Sequence, residues 1–219
     1  MSSNDLNGKW GGVNCRTLSM ELLGTMALTY VGGWSCIVAS SGLSETMSVA
    51  LAHMLVLTVM IYIGAQVSGA HYNGAVTLGL ILAKECQIFR GCMYMVTQLI
   101  GTMLGASLLQ VMCPQSYISK AHKASGVSLG YPVPMINKLV EASVFEFIGT
   151  FLLVFMVFSL VVDKRAPRYI YAIAIGGSVG ISVLSFGKIS GAACNPWRWF
   201  GPALMDAILN GNVSWYKYF

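Results

Sequence analysis

Residues 190–204 read SGAACNPWRWFGPAL. The stretch holds two prolines, two tryptophans and a single arginine, Arg198, inside chain that is otherwise almost purely apolar. Residues 68–77 read SGAHYNGAVT. Both segments place an asparagine, Asn73 or Asn195, five residues after a serine, at an offset of 122 residues (Ser68 to Ser190). Upstream, ELLGTMALTYV from Glu21 returns as EFIGTFLLVFM from Glu146, at an offset of 125 (Glu21 to Glu146). Landmarks repeating in the same order at nearly the same spacing mark an internal duplication.

Composition sets the solvent. The 219 residues are 56% hydrophobic and 10% charged, with mean hydropathy +0.68. Soluble domains carry about 25% charged residues, so this chain cannot cover a water-facing surface and reads as an integral, multi-pass membrane protein. Five segments approach the roughly 20 apolar residues a membrane helix needs: 17–40, 49–67, 91–112, 139–162 and 170–186. Two shorter apolar pieces, 73–83 and 195–208, each follow a Gly-containing turn and read as re-entrant half-helices. The predicted fold is all-α: an inverted repeat of five transmembrane helices and two half-helices. Its parts are a polar N-terminal segment (1–16), a first repeat of three spans (17–112), a connecting loop (113–138) and a shorter second repeat of two spans (139–219). Three crossings in the first repeat turn the second upside down, an arrangement of channels and transporters whose sites lie near the midplane.

Charge and cysteine content narrow the function. Lys9, Arg16, Lys84, Arg90, Lys164, Arg165 and Arg168 fall on one side of this topology. Lys120, Lys123, Lys138 and Lys217 fall on the other, with Lys188 and Arg198 beside the second half-helix. The excess places the N-terminus on the cytoplasmic side or its organellar equivalent; the choice of membrane, an organellar inner membrane included, stays open. No basic stripe interleaved with aromatics suggests nucleic acid. Cys15, Cys36, Cys86, Cys92, Cys113 and Cys194 show no CxxC spacing and read as apolar fillers ahead of disulfides or a metal site. The first sixteen residues lack the apolar core of a secretory signal. The histidines and carboxylates form no recognisable cluster, so neither an enzyme, a cofactor nor a metal is expected.

The two loops resemble the signature loops of the aquaporin, or major intrinsic protein, family, SGAHxNPAVT and SGxxxNPARxFGPA, in register from about Glu21 to Leu204. The resemblance implies two half-helices meeting by their N-termini at the midplane. Asn73, Gly74, Asn195, Pro196 and Trp197 would form that junction, with the asparagines capping the helices and offering N–H donors to water. It implies a constriction of His53, Val183, Ala192 and Arg198, similar to the wider filters of plant vacuolar members. It also implies loop support from Glu21 and Glu146. An intramembrane arginine is a functional candidate by default; the plainer alternatives are an interfacial cation for Arg198 and a satisfied core histidine for His53.

Three departures stand against the resemblance. Gly74 replaces the proline of the first NPA, Trp197 replaces the alanine of the second, and no sixth span follows. With no ring at Gly74, space could open for the indole. Two functions follow: a passive channel for water or a small neutral solute, narrowed or occluded by Trp197, or a non-conducting subunit of a larger membrane complex. Besides lipid, the expected partner is another transmembrane polypeptide, or a second copy, filling the sixth-helix position. Trp215, Tyr216 and Tyr218 suggest an interfacial aromatic belt.

Overall fold

The computed structural model describes residues 13–42, 45–125, 129, 139–167 and 169–211; Trp215, Tyr216 and Tyr218 lie outside them. The described residues form helices and no strands. In order these are α1 (Cys15–Ser40), α2 (Thr46–Gly64), α3 (Gly74–Leu82), α4 (Ile88–Met112), α5 (Gln115–Ser125), α6 (Leu139–Val157, continued by a π-helical turn Phe158–Val162), α7 (Tyr171–Phe186) and α8 (Pro196–Asn210).

Among the described residues four helices are long and apolar enough to cross a membrane: α1, α2, α4 and α6 with its π turn. The expected fifth span is α7, whose 16 residues rise about 24 Å, somewhat less than a hydrocarbon core of about 30 Å. Burial follows the logic of a lipid solvent. Leu55, Val59 and Ile181 face outward, while Glu21, Thr25, Gln98 and Thr102 are fully or almost fully enclosed. Polar groups inside a bilayer must find partners within the protein.

Small residues bring the helices together. A Cβ on Gly101 would stand 2.5 Å from the Leu22 carbonyl oxygen, and one on Gly105 would stand 2.6 Å from that of Met26, so α4 lies directly on α1. A Cβ on Gly176 would stand 2.5 Å from the Met54 carbonyl oxygen, where α7 crosses α2. Close backbone approach through glycines on one helix face is the usual device of membrane bundles.

The connection read as a loop, 113–138, contains a helix. In α5 the side chains of Ile118 and Ala121 are buried with Ile37, Leu109 and Cys113, while Lys120 and Lys123 are exposed. α6 is barely covered. Phe147, Phe151 and Phe155 stack on one another along its outer face, and Phe147 is 71% exposed. Among the described residues no helix lies over this face, whereas α4 covers the corresponding face of α1.

Candidate functional site

The two signature loops share one backbone. Gly69, Ala70 and Tyr72 have φ of 92°, 53° and 49°; Gly191, Ala192 and Cys194 have 96°, 48° and 49°. Left-handed conformations cost non-glycine residues roughly 1–3 kcal/mol each and persist only where surroundings enforce them. Two buried carboxylates do so here. Glu21 Oε1 accepts from Ser68 Oγ (2.6 Å) and the His71 amide (3.0 Å), and Oε2 from the Tyr72 amide (2.8 Å). Glu146 accepts from the Ala193 (3.1 Å) and Cys194 (3.0 Å) amides, the equivalent positions of the second loop.

The first loop is held by more than the sequence reading anticipated. Gln98 of α4 donates to Glu21 Oε2 (2.8 Å) and to Thr77 Oγ1 (3.0 Å). Arg90 and Tyr94 donate to the Ser68 carbonyl at 2.8 and 2.9 Å. A glutamine at the middle of an apolar span is a polar residue that needs a partner inside the protein, and this was the signal that could have found Gln98, though not its partners. The sequence places Arg90 only among the cations of a connection.

Asn73 and Asn195 tie the loops together. Asn73 Oδ1 accepts from the Ala75 amide (2.8 Å) and caps α3; Asn195 Oδ1 accepts from the Trp197 amide (3.1 Å) and caps α8. Asn73 Nδ2 donates to the Cys194 carbonyl (2.7 Å), and Asn195 Nδ2 donates to the Tyr72 carbonyl (2.9 Å). Each amide thus spends one N–H on the opposite loop and keeps one. Both helices carry the partial positive charge of their N-termini to this junction.

Beyond the asparagines the helices differ. Pro196 occupies the first turn of α8, where its missing N–H costs nothing and its fixed φ suits the helix. Gly74 opens α3, and a Cβ there would lie 2.5 Å from Trp197 Nε1 and 2.8 Å from its Cε2. The indole lies in the space that a side chain at position 74 would need. Its Nε1 is buried without a hydrogen-bond partner.

A cavity of about 540 Å³ runs beside the junction. Asn73, Asn195, His53, His71 and Arg198 line it, with Leu57, Val76 and Val179 among the apolar wall, and Glu85 and Lys164 border it too. Trp197 is not among its lining residues, so the indole expected to narrow the passage packs beside Gly74 and outside this cavity. Of the four residues read as a constriction, His53 and Arg198 line the cavity and touch one another. Val183 and Ala192 are buried in the surrounding apolar core and do not line it.

The His53–Arg198 contact fixes a tautomer. His53 Nδ1 lies 2.9 Å from the Val49 carbonyl, which can only accept, so Nδ1 carries the hydrogen. Nε2 is then the acceptor for Arg198 Nη2 at 3.1 Å. Arg198 Nη2 also reaches Cys36 Sγ at 3.9 Å, and its Nε and Nη1 are buried without partners. Among the described residues no three His, Cys, Asp or Glu side chains gather as a metal site.

Paired loops, paired carboxylates and facing asparagine caps agree with a family model, "Major intrinsic protein", which matches residues 12–217. The chain belongs to the major intrinsic protein family. It is an integral, multi-pass membrane protein of a family of channels rather than enzymes. It is 36% identical over 201 residues to the aquaporin TIP4-4 of Zea mays, covering 88% of this chain and 76% of that one. It is 31% identical over 217 residues to the aquaporin AqpM of Methanothermobacter marburgensis, covering 90% and 86%. The aquaglyceroporin of Plasmodium falciparum has a similar structure, with a TM-score of 0.75 and 25% identity over 90% of this chain and 83% of that one.

Proposed function

We propose that this major intrinsic protein passively conducts water, or a small neutral solute, along the cavity that joins the His53–Arg198 pair to the facing asparagines. What carries the reading is that one cavity is lined both by Asn73 and Asn195 and by Arg198. A solute on this path meets the free N–H of each asparagine amide. It also meets the charge of Arg198, which lines the same cavity. The helix N-termini and the Arg198 charge repel cations and protons, which leaves neutral hydrogen-bonding molecules as cargo. Val183 and Ala192 act from behind, setting the wall's position. Trp197 stands behind the wall: its indole takes the volume that a ring at position 74 would occupy.

Reconstitution tests this. Proteoliposomes of the purified protein are expected to shrink quickly under an osmotic gradient and to show no proton or potassium conductance. Water flux equal to that of protein-free liposomes would overturn the reading.

The bare face of α6 favours a second reading. The α1 residues that α4 covers include Leu22 and Met26, and the 125-residue offset maps them to Phe147 and Phe151, which lie open on α6. In this reading a transmembrane helix of another polypeptide or of a second copy covers them, and the protein serves as a non-conducting subunit. Phe147→Cys crosslinked in native membranes would report a neighbouring helix; crosslinking to lipid alone would remove this reading.

A further inference from the structure

We propose that α1, through Gly32 and Cys36, positions the His53–Arg198 pair and thereby sets the width of the constriction. This inference rests on the channel reading above. Neither residue lines the cavity, yet both lie against the pair that does. A Cβ on Gly32 would stand 2.5 Å from His53 Nε2 and 2.9 Å from Cδ2. The absent side chain at position 32 is therefore what lets the imidazole seat against α1. Seated there, Nε2 accepts from Arg198, and Nδ1–H is fixed on the Val49 carbonyl one turn back.

Cys36 lies one helical turn beyond Gly32 on the same face of α1. Its sulfur is a weak acceptor, 3.9 Å from Arg198 Nη2. Among the described residues His53 and Cys36 are the side chains bonded to the guanidinium. One face of α1 thus acts on the guanidinium twice, through Cys36 directly and through Gly32 by way of His53 on α2. A methyl at position 32 pushes the imidazole away from α1 and toward the cavity it lines, and breaks the bond to Arg198. A branched side chain at position 36 crowds the guanidinium directly.

The test measures water and urea flux in proteoliposomes, normalised to folded protein, for wild type, Gly32→Ala, His53→Ala, the Gly32→Ala/His53→Ala double variant and Cys36→Leu. Gly32→Ala is expected to lower water flux by about threefold or more, since a ring displaced into a single-file constriction obstructs it. In the His53→Ala background the same change is expected to have no effect, because no ring remains to displace. Cys36→Leu is expected to lower flux without touching Gly32, and supplies the answer if Gly32→Ala does not fold. Equal loss from Gly32→Ala with and without His53 would overturn the inference, as would unchanged flux in both Gly32→Ala and Cys36→Leu. Wild-type protein without water flux would instead overturn the channel reading, and this inference with it.

Discussion

Gly74 and Trp197 face each other across the junction of two short helices, and the indole Nε1 lies 2.5 Å from where a Cβ on Gly74 would be. Two departures from the family's signature loops are thus one physical event. Glycine at the start of α3 gives up the pre-organisation that proline supplies. The vacated volume receives a large ring that no alanine at position 197 would fill.

The pair should therefore behave as a coupled unit. Gly74→Ala alone is expected to destabilise by about 1–3 kcal/mol, the usual cost of overpacking. In a Trp197→Ala background the same change should be neutral or stabilising, because it removes chain entropy from the unfolded state. Thermal unfolding of the four proteins in detergent measures the coupling; additive shifts would show that the two positions act separately.

The carboxylates predict an asymmetry between the halves. Glu21 takes four hydrogen bonds, from Ser68, His71, Tyr72 and Gln98; Glu146 takes two, from Ala193 and Cys194. A Gln substitution turns one acceptor into a donor aimed at donors, and a buried unsatisfied group costs about 1–3 kcal/mol. Glu21→Gln should therefore lower the melting temperature more than Glu146→Gln. Equal shifts would contradict the bonding pattern.

Outside the membrane helices, the Arg165 side chain bonds Asp163 at 2.7 Å and holds its carboxyl down at about 2. A depressed carboxylate contributes stability above its ordinary value of 3.8, and that contribution fades as pH falls toward 2. Arg165 is exposed and Asp163 partly exposed, so the effect on folding should be small. Arg165→Ala should raise the Asp163 midpoint toward its ordinary value in an NMR titration and leave unfolding at neutral pH unchanged.

Much of this was legible in the sequence because lipid simplifies the code. Long apolar runs gave the spans to within a few residues, and the repeated SGAxxN and ExxGT landmarks located the loops, the caps and their carboxylates. What escaped had other physical causes. α5 alternates polar and apolar residues over only 11 positions, too short and too polar to announce itself among the spans. Gln98 and Arg90 act on a loop far off in sequence, and spacing cannot reveal such partners. Spacing from Asn195 names Val183 and Ala192 as constriction residues, and the structure buries both in the apolar core; spacing carries no information on which way a side chain points. The size of Trp197 is legible in the sequence; its packing against Gly74 is visible only in the structure.

The most direct measurement compares osmotic water flux through proteoliposomes of wild-type protein and of Trp197→Ala. An indole packed beside Gly74 and outside the cavity predicts flux well above protein-free liposomes for the wild type, and no gain for Trp197→Ala. Wild-type flux at the lipid background, with a channel opened by Trp197→Ala, would show that the indole plugs the passage and would contradict the account.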